Sequence, residues 1–121
     1  MPAHDNLAGF ARLWRATRVG VRALTWAVRE EEALRLELRS LVVLLPLGIW
    51  LGRSGVERAV LCVSVLLVLI VELLNTGLEV AVDRIGTEHH ALSGLAKDLG
   101  SAAVMIALIA AALSWALILI R

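Results

Sequence analysis

The sequence predicts an all-α membrane protein, with one amphipathic helix on the membrane surface followed by three transmembrane helices. Three observations predict it. Hydrophobic residues make up 60% of the 121 residues and the mean hydropathy is +0.83, well above the roughly 45–50% apolar content of a soluble domain. Leu99 to Ile120 holds no charge between Asp98 and Arg121, and at about 1.5 Å per residue it is long enough to cross a bilayer core. Ala59 to Val82 is apolar throughout except for Glu72, Asn75 and Glu79 in its middle. The chain is expected to be a single domain over residues 1–121 without a cleavable signal peptide, because its first forty residues are charged rather than apolar. The lone Cys62 falls within a span and serves there as a small hydrophobe. A net charge of +1 argues against nucleic acid as a partner.

The first element is a helix over residues 7–28. Phe10, Leu13, Trp14, Val21, Leu24 and Val28 recur near helical spacing, interleaved with Arg12, Arg15, Arg18 and Arg22. A basic face opposed to an apolar one describes a helix lying in the membrane interface, the alternative being a soluble packing helix. The first span is assigned to residues 33–52. Only Ser40 to Gly52 lies between Arg39 and Arg53, so a full crossing must recruit Ala33 to Leu38 and accept Arg35 and Glu37 near its end. Pro46 is expected to bend this helix, which membrane helices tolerate better than soluble ones. Arg53 to Arg58 then forms a short linker, suited to an antiparallel hairpin, before the second span over residues 59–82. A second linker, Asp83 to Asp98, contains Gly86, His89, His90, Gly94 and Lys97 and is too polar to be only a turn. The third span covers residues 99–120, and the small residues Gly100, Ser101, Ala102 and Ala103 at its start permit close helix approach.

Orientation follows from the distribution of Lys and Arg. Arg12, Arg15, Arg18, Arg22, Arg29, Arg35 and Arg39 precede the first span, and Arg84 and Lys97 fall in the second linker. Three spans place both regions on one side, which is therefore cytoplasmic, and ATP is available there.

Glu72, Asn75 and Glu79 stand at i, i+3 and i+7, on one helical face that Asp83 continues. Carboxylates within hydrocarbon are expensive, so they mark a functional site by default. A purely structural seam between helices normally uses uncharged Ser, Thr, Asn or Gln; two Glu point to a bound cation or to proton chemistry. The cytoplasmic ends add Glu30, Glu31, Glu32 and Glu37, then Glu88, His89, His90, Lys97 and Asp98. One or two carboxylates together with phosphate oxygens are how Mg²⁺ is held, Lys97 can neutralise phosphate charge, and a carboxylate in a low-dielectric site can act as general base toward an alcohol. These are the parts of a phosphoryl-transfer site. The familiar phosphate-binding glycine loops and kinase motifs are absent. The adjacent His89 and His90 make a poor zinc pair, since neighbouring side chains diverge.

Two segments, Glu72-Leu-Leu-Asn75-Thr-Gly-Leu-Glu79-Val-Ala-Val-Asp83-Arg84-Ile-Gly86 and His90-Ala-Leu-Ser93-Gly94-Leu-Ala-Lys97-Asp98-Leu-Gly100-Ser101-Ala102-Ala103-Val104, resemble the signature of the small prokaryotic diacylglycerol kinases. The resemblance extends to length, three spans and the N-terminal helix. Gly77 stands where the family is expected to carry Ser or Ala. Val19 and Gly20 replace an aromatic and a hydroxyl residue of the best-known members. The resemblance implies a homotrimer in the bacterial inner membrane, N-terminus cytoplasmic, that transfers the γ-phosphoryl group of Mg·ATP to diacylglycerol and yields phosphatidic acid. It implies Glu72 as general base and Glu31 and Glu79 as Mg²⁺ ligands. The ATP site it implies comprises Arg12, Val19, Glu31, Glu79, Glu88, His89, His90, Lys97 and Asp98. Lipid contacts would come from Arg12, Glu37, Glu72, Ser101 and Trp115, with Asn75 and Asp83 in support, and each site would be shared between subunits. A sister activity on undecaprenol would use the same residues. A non-enzymatic subunit with Glu72 and Glu79 as a cation path would leave Lys97 and Asp98 without a role.

Overall fold

A computed structural model describes residues 2–86 and 88–121, which form four helices: α1 (Pro2–Glu30), α2 (Glu32–Leu51), α3 (Gly55–Ile85) and α4 (Ala91–Leu119). Two compact units divide the chain, one ending at Arg35 and the other covering residues 36–121.

In the N-terminal unit, α1 runs almost without interruption into α2. Glu31 N–H still donates to Ala27 O at 2.8 Å, and Arg35 N–H to Glu31 O at 3.1 Å. Carbonyls at a helix C-terminus lack internal partners; here the Arg35 guanidinium supplies donors to Val28 O at 3.2 Å and Arg29 O at 3.0 Å. Ala27 and Leu34 are buried, whereas Phe10, Leu13, Trp14, Val19 and Val21 are exposed.

In the second unit, α2 continues through Pro46 and ends at a tight turn. The sequence Ser54-Gly-Val-Glu57 starts α3 as a variant of the capping box. Ser54 Oγ accepts from Glu57 N–H at 3.1 Å, while the Glu57 carboxylate accepts from Arg53 N–H at 2.8 Å, one residue earlier than the usual reciprocal bond. Arg121 secures the same end: its guanidinium pairs with Glu57 at 3.1 Å and donates to Leu51 O and Ile118 O. One residue, Gly48, lets three helices meet, because a Cβ there would touch Leu61 and Cys62 of α3 and Trp115 of α4.

The main packing is α3 against α4, antiparallel. Its register is fixed by Trp115 with Leu61 and Ser64 at one end, Gly100 with Asn75 and Leu78 in the middle, and Lys97 with Asp83 at the other. Leu61, Val65, Val68 and Val82 are buried on α3, Gly100 and Ala107 on α4. Both helices are long and apolar enough to cross a membrane, each with a window of mean hydropathy 2.5. Only 28% of that window on α3 and 6% on α4 is buried within the chain, so their apolar surface is covered by something other than this chain, unlike the core helix of a soluble protein. α2, with Glu32, Arg35, Glu37 and Arg39 in its first half, falls outside this class.

The helices extend beyond the apolar runs that announced them. The second linker is short, because α3 continues to Ile85 and α4 already begins at Ala91. A hydropathy boundary falls at the first charge, but a helix backbone continues through Asp83, Lys97 and Asp98 at little cost in propensity.

Candidate active site

The acidic residues of α3 occupy a seam. Leu61, Val65, Val68, Glu72, Asn75, Glu79 and Val82 follow alternating steps of four and three, the spacing that keeps one stripe of a helix against a neighbour. Leu61, Val65, Val68 and Val82 are buried; Glu72, Asn75 and Glu79 interrupt the stripe and are half-buried. They are therefore held at an inner helix face. Glu72 and Glu79 lie close enough for their charges to interact, and Glu37 of α2 comes within the same range of Glu72.

Asn75 is the most constrained of the three. Its Nδ2 points to Glu79 Oε1 at 3.5 Å, a long contact, and its Oδ1 is buried without a hydrogen-bond partner. A buried orphan carbonyl is uncommon. It exists here because α4 presents Gly100 at that level: a Cβ on Gly100 would overlap Asn75 Oδ1 and stand 3.2 Å from Asn75 Cγ.

Toward the end of α3 the polar residues become exposed. Lys97 Nζ donates to Asp83 Oδ1 at 2.8 Å. Lys97 precedes the uncharged run that starts at Leu99, and its hydrogen bond to Asp83 raises its pKa above the ordinary lysine value. Between α3 and α4, Glu88, His89 and His90 are exposed. His90 is the N-cap of α4, its Nδ1 accepting from Leu92 N–H at 3.1 Å. These residues surround a cavity of about 510 Å³ whose wall includes Val82, Ile85, Glu88, His89, His90 and Ser93. A smaller one of about 160 Å³ carries Asp83, Gly94 and Lys97. The larger volume is within the range of small-molecule sites. The ammonium of Lys97, the N-terminus of a long helix and an apolar wall together suit a phosphate-bearing ligand with a flat apolar part.

Arg12, Val19 and Glu31 belong to the N-terminal unit, the first two exposed and Glu31 half-buried. Asp98 and Ser101 are exposed on α4. Trp115 sits at the opposite end of the α3–α4 pair, its indole N–H donating to Leu61 O at 3.1 Å and Ser64 Oγ at 3.2 Å. Gly100 as the neighbour of Asn75 and Ser64 as the partner of Trp115 were not read from the sequence. Gly100 had a signal in its run of small residues; Ser64 had none.

The donors along the stripe are oxygens, as a hard cation such as Mg²⁺ requires. Among the described residues no three His, Cys, Asp or Glu side chains form a metal cage. That combination fits an ion that arrives with a nucleotide and keeps phosphate oxygens and water as its other ligands.

Comparison with known proteins gives a consistent picture. The family model for prokaryotic diacylglycerol kinase matches residues 18–119. The diacylglycerol kinase of Escherichia coli (strain K12) is 43% identical over 115 residues, 95% of this chain and 94% of the relative. That of Haemophilus influenzae is 44% identical over 107 residues, covering 88% and 91%, and that of Pseudomonas aeruginosa 43% over 112 residues, covering 93% and 91%.

Proposed function

Since this chain belongs to the prokaryotic diacylglycerol kinase family, we propose that it phosphorylates diacylglycerol with ATP, yielding phosphatidic acid at the cytoplasmic face of the bacterial inner membrane. The observation that carries this reading is the 43% identity over 95% of the chain, together with the half-buried carboxylates set into the α3 seam. In this reading α2 joins α3 and α4 as a third crossing, α1 lies along the interface with the N-terminus cytoplasmic, and three copies assemble.

Phosphoryl transfer asks for positioning and charge neutralisation more than for covalent chemistry. The lipid hydroxyl gives its proton to a Glu72 carboxylate oxygen while its own oxygen attacks the γ-phosphorus, and the bond to the ADP oxygen breaks. Glu37, close enough for its charge to act on Glu72, lines the lipid side with Arg12, Ser101 and Trp115. Lys97 carries phosphate charge, and Asp98, Glu88, His89, His90, Arg12 and Val19 complete the nucleotide contacts. Mg²⁺ bound with the nucleotide by Glu79 and by Glu31 of a neighbouring chain would offset the charge on the phosphates. An amphipathic acceptor presents its hydroxyl near the interface, where the charged end of α3 can meet it.

The test is transfer of radiolabel from γ-labelled ATP in membranes supplied separately with diacylglycerol and undecaprenol. Label in phosphatidic acid is the expected result. Label only in undecaprenyl phosphate would assign the chain to the sister activity, and no lipid label in either would end the kinase reading.

A further inference from the structure

Gly100 sits on α4 opposite the polar stripe, yet it offers no functional group. What it offers is space. A Cβ at this position would overlap Asn75 Oδ1, stand 3.2 Å from Asn75 Cγ and lie 3.1 Å from Leu78 Cδ2. The carboxamide would have to turn to clear Oδ1, while Asn75 Cγ and Leu78 Cδ2 would each give by a few tenths of an ångström. Asn75 Nδ2 would then leave Glu79 Oε1. The orphaned Oδ1 shows that no hydrogen bond from α4 holds the amide; the shape of the notch does.

We propose that Gly100 is a positioning residue of the candidate site, seating the Asn75 carboxamide in α4 so that its Nδ2 faces and orients the Glu79 carboxylate. The inference deepens the proposed function, since it rests on Glu79 as a ligand of the nucleotide-bound metal. Groups that orient a metal ligand commonly change metal affinity or activity by about 10–100-fold when removed. The penalty of Gly100→Ala should therefore appear as a changed metal affinity, beyond any looser packing of α3 on α4.

The experiment is a double-mutant cycle on the full chain with Gly100→Ala, Asn75→Ala and both together. Two quantities are read: Mn²⁺ binding in the presence of a non-hydrolysable ATP analogue, by electron paramagnetic resonance, and turnover as a function of Mg²⁺. Each single variant is expected to weaken Mn²⁺ binding by about tenfold or more, and the double variant to be no worse than Asn75→Ala alone. Gly77→Ala, whose Cβ meets nothing within 4 Å, should behave as the parent. Unchanged Mn²⁺ affinity in Gly100→Ala overturns the proposal, and so do losses that multiply in the double variant. If Gly100→Ala does not fold, Asn75→Ala decides, because it only removes atoms: parental Mn²⁺ affinity in that variant overturns the proposal. A parent chain that binds Mn²⁺-nucleotide but labels no lipid would refute the proposed reaction while leaving the cycle readable.

Discussion

Lys97 on the second turn of α4 donates a 2.8 Å hydrogen bond to Asp83 on the last turns of α3, and both residues line the smaller cavity. With side chains 43% and 53% exposed, the pair is screened by solvent and adds little to fold stability. The proposed reaction gives it a different use, holding an ammonium beside the smaller cavity for the nucleotide phosphates.

Lys97→Met is therefore expected to lower kcat/KM for ATP by about tenfold or more, since a charge-assisted phosphate contact is lost, while leaving the thermal midpoint almost unchanged. The pH dependence has a definite sign. The folded pKa of Lys97 is raised above 10.5 by Asp83, so the bond is fully present below the ordinary lysine value and lost only as pH rises through the higher folded value. A rate profile between about pH 6 and 9 should carry no inflection from this group. An alkaline limb in that range that vanishes in Lys97→Met would contradict it.

Glu72→Gln keeps the shape of the side chain and removes its capacity to take a proton. Turnover should fall by at least about 10²-fold, the lower end for general-base catalysis, with nucleotide binding little altered. A Glu72→Gln chain that turns over normally would show that Glu72 is not the base.

Trp115 supplies a contrast at the far end of the helix pair. Ser64 lies eight residues before Glu72 on α3, roughly 12 Å along the axis, so the indole bonds to Leu61 O and Ser64 Oγ are remote from Glu72, the proposed base. Trp115→Phe removes both bonds but keeps an apolar ring for lipid. It should destabilise the protein by about 1 kcal/mol and leave KM for the lipid close to the parent value, with thermal unfolding in detergent and steady-state kinetics as the paired measurements. A lipid KM that rises with no loss of stability would mean that the indole N–H serves the substrate instead of the fold.

The helical class and the polar stripe were legible in the sequence because each rests on one-dimensional spacing. Its continuation was legible only in part: spacing extends it to Asp83, which is exposed, whereas the buried seam runs on through Val82 and back through Val68, Val65 and Leu61. Helix ends were less so, since charge marks where hydrocarbon-compatible sequence stops and says nothing of where the backbone uncoils. Asp83 and Lys97, assigned to a linker, are helical. His90 could not be read as an N-cap, because the histidine side chain is not among those that advertise that role. Gly100 as the seat of Asn75 was out of reach, for it depends on the register between α3 and α4, which no single-helix periodicity contains.

Membrane sidedness has its own test. In the proposed topology, which follows the distribution of Lys and Arg, the segment between α3 and α4 faces the cytoplasm and the turn before α3 faces outside. In a Cys62→Ala background, Ser54→Cys should react with an impermeant thiol reagent in intact cells and Ser93→Cys should react only after lysis. Labelling of Ser93→Cys from outside would put the larger cavity, which Ser93 lines, on the side without ATP.

Assembly is tested by complementation. Glu31 belongs to the N-terminal unit and Glu72 to the second unit, so a site built from neighbouring chains can take each residue from a different copy. Glu72→Gln chains and Glu31→Gln chains, each refolded alone, should be nearly inactive. In an equal mixture, a site is intact when the chain giving Glu31 is the Glu72→Gln variant and the chain giving Glu72 is the Glu31→Gln variant. Random association in a closed symmetric oligomer makes that true of roughly a quarter of the sites. Co-refolding should therefore restore a substantial fraction of parental activity, and mixing the two proteins after separate refolding should not, because subunits must exchange to form hybrids. If each site took both residues from one chain, every site in the mixture would keep one lesion, and activity would stay at the level of the separate variants.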